Sequence, residues 1–206
     1  MYVSNLDNSS GAAADITLPL FPLKVFLFQG IPLKLQIFER RYLDMVSRQL
    51  KANEGFGIVP IAKGEEVGRP PEIYPLGVEV IVTDWDQRPN GLLQLDVMGR
   101  RRFEVLDSET QDDGLMVGRI GYLSRDEQIP LDEEYQGLVD LVETLKEHPH
   151  NESLGLPGVA TTADLANQLA YLLPLSEAEK RRTFLCNDVG LRLEYLAGLV
   201  AELSKS

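Results

Sequence analysis

The stretch LPLFPLKVFLFQGIPLKLQIFERRY, residues 18–42, decides how the chain is read. Leu18, Leu20, Leu23, Val25, Leu27, Leu33, Leu35 and Ile37 fall mostly on every second position, the period of a strand with one buried face. Pro19, Pro22 and Pro32 remove ladder donors and fix φ, which breaks the run into strands at 18–21 and 33–37 around an irregular loop at Gln29-Gly30-Ile31-Pro32. Phe26, Leu27 and Phe28 lie beside the turn expected at Gly30. They are either core or an exposed apolar surface suited to binding.

Downstream, Phe38, Tyr42, Met45, Val46 and Leu50 recur at spacings of three and four, predicting an amphipathic helix over 39–51 that Asn53-Glu54-Gly55 stops. Phe56–Ile61 reads as a buried strand, and 62–71, rich in Gly, Pro and charge, as a mobile loop. Val78–Trp85 alternates, and a turn over 86–91 ending in Asn90-Gly91 returns the chain as Leu93, Leu95 and Val97. Gly99 marks a bulge or bend, and strands are expected at 102–106 and 115–123. The period then changes. Tyr135, Leu138, Val142 and Leu145 define a helix ended by His148-Pro149, and Asn151–Gly158 is a connection. Thr161 or Thr162 caps the next helix, Ser176-Glu177-Ala178-Glu179 has capping-box spacing, and Asp188 is placed to cap the last.

The same motifs carry a resemblance. Leu-Pro-Leu-Phe-Pro-Leu, a Gln29-Gly30 turn and the helix entry Phe38-Glu39-Arg40-Arg41-Tyr42 resemble the opening of the Lon protease N-terminal domain, where Gln29-Gly30 replaces the usual Pro-Gly. The likeness resumes at Leu76-Gly77-Val78-Glu79-Val80, Asn90-Gly91 and Val97-Met98-Gly99-Arg100-Arg101-Arg102-Phe103. It ends with Ala163-Asp164-Leu165-Ala166, Leu173-Pro174-Leu175-Ser176, Glu179-Lys180 and Arg192-Leu193, covering about 18–203 in order. The resemblance implies an α+β fold: a PUA-like β pseudobarrel with one helix over 18–123, then a small helical bundle over 124–206. Residues 1–17 read as a disordered leader.

The resemblance also implies a non-enzymatic module that engages unfolded or apolar polypeptide segments in protein quality control. Lon proteases couple an ATPase to a peptidase, and neither is expected here. There is no Gly-x-x-x-x-Gly-Lys-Ser/Thr phosphate cradle, and the Ser-Lys protease domain has no residues to map onto. The chain is therefore expected to be a standalone form, with no catalytic residue and no cofactor.

Charge orders the alternatives. The formal net charge is −12, and residues 107–152 carry thirteen acidic against three basic side chains, a net of −10. Nucleic-acid binding needs a basic stripe to release counterions, so an RNA-binding PUA-like module is the second reading and nucleic acid is disfavoured. Arg100-Arg101-Arg102 is the local exception, but strand alternation keeps it from presenting three cations on one face, and solvated strand edges are expected.

A third reading, a hydrolase, has weak candidates. His148 and His150 bracket a proline at a helix end and read as capping residues rather than metal ligands. Cys186 beside Phe184 and Leu185 reads as buried and inert. Asp84 with Asp86, and Glu65 with Glu66, read as solvated acid pairs. Trp85, where a strand meets a turn, is placed either to anchor a partner or to pack in the core. Phe26, Leu27, Phe28 and Trp85 are thus the candidate peptide-binding residues. One cysteine and the absence of about 18 consecutive apolar residues fit a soluble protein in a reducing, cytoplasmic compartment.

Overall fold

A computed structural model describes residues 16–89, 92–149 and 151–203. The alternating segments form β1 (Ile16–Leu23), β2 (Pro32–Ile37), β3 (Phe56–Lys63), β4 (Glu72–Ile73), β5 (Leu76–Gln87), β6 (Leu93–Thr110) and β7 (Met116–Tyr122), with helix α1 (Arg40–Ala52) after β2. Ile16 and Thr17, assigned to the leader from sequence, belong to β1 and pair with Ile120 and Arg119, while residues 1–15 lie outside the described residues. The expected loop over 62–71 is shortened by β3, which runs on through Lys63 to pair with Glu72 of β4. Asn90 and Gly91 lie outside the described residues.

The strands follow the order β1-β7-β6-β5-β3-β4, and β1 also pairs in parallel with β3. That last pairing joins β1, β7, β6, β5 and β3 into a closed ring, which removes two edges that would otherwise expose unpaired backbone. Closure demands strong local twist, and β6 supplies it with bulges. Glu79 pairs with Arg101 and Val80 with Gly99, so Arg100 is the extra residue at the predicted Gly99 bend. Close packing also restricts two ring positions to glycine. A Cβ on Gly57 would sit 2.7 Å, and one on Gly77 2.5 Å, from the Phe103 ring. β2 stands off this ring and pairs with β6.

Beyond a 3-10 turn at Glu133–Tyr135 the chain is helical: α2 (Gln136–Lys146), α3 (Thr162–Leu172), α4 (Glu177–Leu185) and α5 (Val189–Leu203). Their starts are set locally. Thr161 and Asp164 exchange side-chain-to-backbone hydrogen bonds, as do Ser176 and Glu179, each satisfying two otherwise orphan N–H groups. Asp188 accepts from the Leu191 N–H at 3.0 Å. α3 packs against α2 and α5.

Alternation gives the sheet two apolar faces. Leu18, Leu20, Val59, Phe103, Met116 and Ile120 cluster on one. Residues of opposite parity, among them Phe56, Ile58 and Val78, join Phe28, Leu165, Leu169, Phe184 and Leu193 in one continuous core shared by sheet and helices.

Candidate functional site

The β1–β2 connection carries three of the four residues singled out for binding, and the structure withdraws them from solvent. Phe26, Leu27 and Phe28 are all buried. Gly30, at φ 75°, donates to the Gly99 carbonyl at 2.9 Å and folds the loop back against β6. Phe26 then packs on Tyr74 with ring centroids 5.6 Å apart, and Phe28 on Phe184 at 5.9 Å. The exposed patch expected there is absent because the turn folds it against β6, with Tyr74 and, from α4, Phe184 packed on its rings. Core, the other reading of these residues, is what the fold makes of them.

Ten residues later the same chain does the opposite. Along β2, Leu35 and Ile37 turn inward while Lys34 and Gln36 face solvent, and Phe38 continues the outward parity. It is 57% exposed. The following helix entry is held by structural contacts. Arg41, buried, lies 2.9 Å from Glu39, donates to the Gly114 carbonyl at 2.8 Å and stacks on Tyr42 at 4.6 Å. Tyr42 packs on Phe21 at 4.2 Å, and burial pushes its hydroxyl pKa up to about 12.

Between these elements lies a groove of about 290 Å³ that touches every residue from Leu33 to Glu39. Phe21, Leu35, Ile37 and Tyr42 form its buried apolar floor, and Phe38 and Val67 its exposed rims. Val67 is 56% exposed on a segment bounded by Gly64 (φ 117°) and Gly68 (φ 97°). Lys24 ties that segment down. Its N–H donates to Glu66 at 2.6 Å, and its ammonium meets Glu65 at 2.5 Å. The pair Glu65 and Glu66, read as solvated, is exposed yet engaged. Sequence reasoning did not single out Phe38 and Val67, which the structure leaves exposed on the rims of this groove. The available signal was an aromatic residue falling on the solvent parity of β2.

Trp85 lies across β2 from this groove. It is 55% exposed and lines a second, polar groove of about 530 Å³ with Lys34, Asp84, Asp86, Arg88, Gln94 and Asp96. None of Phe26, Leu27 or Phe28 lines it. Asp84 accepts from the Trp85 N–H at 2.9 Å, Arg88 donates to Gln94 at 2.9 Å, and Arg88 lies 3.5 Å from Asp86. Lys34, Leu35 and Gln36 wall both grooves. Across the two, five carboxylates (Glu39, Glu66, Asp84, Asp86, Asp96) outnumber two cations (Lys34, Arg88), so the lining as a whole is acidic.

The arginine run departs from its expected solvation. Arg100 is exposed and Arg101 stacks on Tyr122 at 4.2 Å, but Arg102 is buried. Its Nη2 donates to Asp126 at 2.8 Å and its Nη1 to the Phe184 and Cys186 carbonyls. Arg192 reaches both oxygens of Asp126 and donates to Asn167 at 2.8 Å, while Asn167 donates to Asp126 at 3.2 Å. Burial alone would raise the Asp126 pKa, but hydrogen bonding and charge from Arg192, with the charge of Arg102, hold it below the usual aspartate value. For Arg102, burial and the neighbouring Arg192 lower the pKa from the ordinary arginine value. This cluster joins β6, α3, α4 and α5. It is a fastening, with every polar group turned inward.

The remaining candidates stay apart. The backbone N–H of His148 donates to the Leu145 carbonyl beyond α2, and His150 lies outside the described residues. No group of three or more His, Cys, Asp and Glu side chains fit for a metal occurs among the described residues. Cys186 is half-buried rather than buried, at the C-terminus of α4, with its thiol 3.3 Å from the Asp188 carbonyl. No helix among the described residues is long and apolar enough to cross a membrane.

Comparison with known proteins supplies the family. Among solved structures, a Lon N-terminal domain protein from Xanthomonas campestris is 33% identical with a TM-score of 0.71, over 89% of this chain and 98% of that one. The N-terminal domain of Mycobacterium avium complex Lon protease shares the fold at 15% identity and a TM-score of 0.57, over 88% of this chain and 96% of that one. No curated protein matches. The family described as ATP-dependent protease La (LON) substrate-binding domain matches residues 17–202, and the chain belongs to it.

Proposed function

We propose that this chain is a non-enzymatic polypeptide-binding module that holds apolar segments of unfolded proteins in the groove beside β2, in a cytoplasmic quality-control role. The carrying observation is the pair Phe38 and Val67, bare on the rims of a groove whose floor is buried and apolar. Apolar side chains left in water beside a formed cavity gain free energy when a partner covers them. Trp85, of the residues picked from sequence, is the one still exposed to join them. The family description supports the ligand class, and the acid-rich lining supports neutral or basic segments over acidic ones. The closed ring of strands supports reading residues up to 123 as a PUA-like pseudobarrel, and the helices after 124 as a small bundle fastened to it.

Fluorescence anisotropy tests the reading. A labelled apolar peptide with basic flanks should bind at roughly micromolar Kd or weaker, since a few partly buried side chains yield little after ordering costs. Phe38→Ala with Val67→Ala should weaken binding in a protein that still folds, and a single-stranded RNA should bind poorly. Binding unchanged by the double substitution, or tighter RNA binding, would refute the assignment. Measurable turnover of ATP or of an unfolded protein would refute its non-enzymatic character.

A further inference from the structure

We infer that the ligand binds as an added β-strand on the free edge of β2, and that it is an extended segment alternating apolar with basic or neutral residues. This rests on the polypeptide-binding reading and specifies how that site works. β2 pairs only with β6 among the described residues. The backbone polarity of that pair is fixed at its start. Gly99 donates to the Ile31 carbonyl at 3.1 Å and accepts from Gly30 at 2.9 Å, so its main-chain groups face the β2 side.

Alternation along β6 turns Val97, Leu95 and Leu93 toward β2, and Asp96 toward β5, where Thr83 Oγ1 donates to its carbonyl at 3.0 Å. Their register partners Leu33, Leu35 and Ile37 therefore direct their main-chain groups at β6. Lys34 and Gln36 direct theirs outward. An edge with unpaired N–H and C=O groups is a template for another strand. The 3-10 turn Glu152–Leu154 approaches β2 but lines neither groove.

The surroundings of this edge set the ligand pattern. An added strand sends alternate side chains to opposite faces. One set enters the apolar floor beside Val67, and Phe38, on the same parity as Lys34 and Gln36, stands at the end of the other. The other set continues the outer-face row formed by Lys34, Asp96 and Asp84 across β2, β6 and β5, where acid predominates. Helical or compact ligands would leave Lys34 and Gln36 main-chain groups unmatched.

The test uses the full chain and a fluorescein-labelled short peptide alternating valine and lysine, N-methylated at every valine amide in one version and every lysine amide in another. In an added strand only one set of amides faces β2, so one methylated version should lose binding by about tenfold or more while the other keeps it. Gln36→Pro removes an outward donor without touching the ladder to β6, so the folded variant should bind the unmethylated peptide several-fold more weakly. Equal affinity of the two methylated versions, with Phe38→Ala still weakening binding, would overturn strand addition and leave the groove assignment standing. No binding by any version would overturn both.

Discussion

Phe28 and Phe38 bracket β2 and carry the same side chain, yet one is fully buried against Phe184 and the other stands in water. The difference is not local. What distinguishes them is the Gly30 turn, which folds Phe28 against β6 where Phe184 of α4 meets it, while nothing among the described residues packs over Phe38 in the same way. Burial of an aromatic residue in this chain reports which surfaces the helices reach, and the uncovered end is where a second molecule has something to gain.

The comparison breaks most completely if the cover is removed. Asp126 is the single buried acid between Arg102 and Arg192, and Asp126→Ala would leave two guanidinium groups buried without a counter-charge. The expected cost is about 3–5 kcal/mol in urea unfolding, as for other broken buried pairs. Phe28→Ala removes the covered ring itself and should cost about 3 kcal/mol or more by the same measurement, because the site is closed on all sides.

Acid should weaken the cover more gradually. The folded-state pKa of Asp126 lies below its unfolded value, so its contribution is complete above the ordinary aspartate pKa of about 4 and is lost as pH falls through the depressed value. Urea midpoints measured below pH 4 should therefore fall more steeply for the native protein than for Asp126→Asn. The smallest effect sharpens the contrast: Phe38→Ala should change stability by only about 0.5 kcal/mol or less while weakening peptide binding.

Much of this fold was legible because its signals are short-range. The capping boxes at Thr161 and Ser176, the α1 stripe, the Gly30 turn and the bend at Gly99 each depend on residues within a few positions of one another. The failures share a different cause. Strand parity separates Arg102 from Arg101, but nothing near position 102 reveals that Asp126 and Arg192 wait on the inner side. Likewise the Phe26–Phe28 loop reads equally as patch or plug until α4 is placed. Of the residues lining the two grooves, Trp85 was singled out from sequence as an aromatic where a strand meets a turn, although β5 runs on past it to Gln87. Phe38 was absorbed into a helical stripe that begins two residues after it.

The contact between Phe28 and Phe184 also orders events in time. Synthesis proceeds from the N-terminus, so the aromatic loop leaves the ribosome long before the helix that seats it. At ordinary elongation rates the nascent chain carries that loop uncapped for on the order of ten seconds. During that interval a protein proposed to hold the greasy segments of others displays one of its own, and is a client before it is a binder.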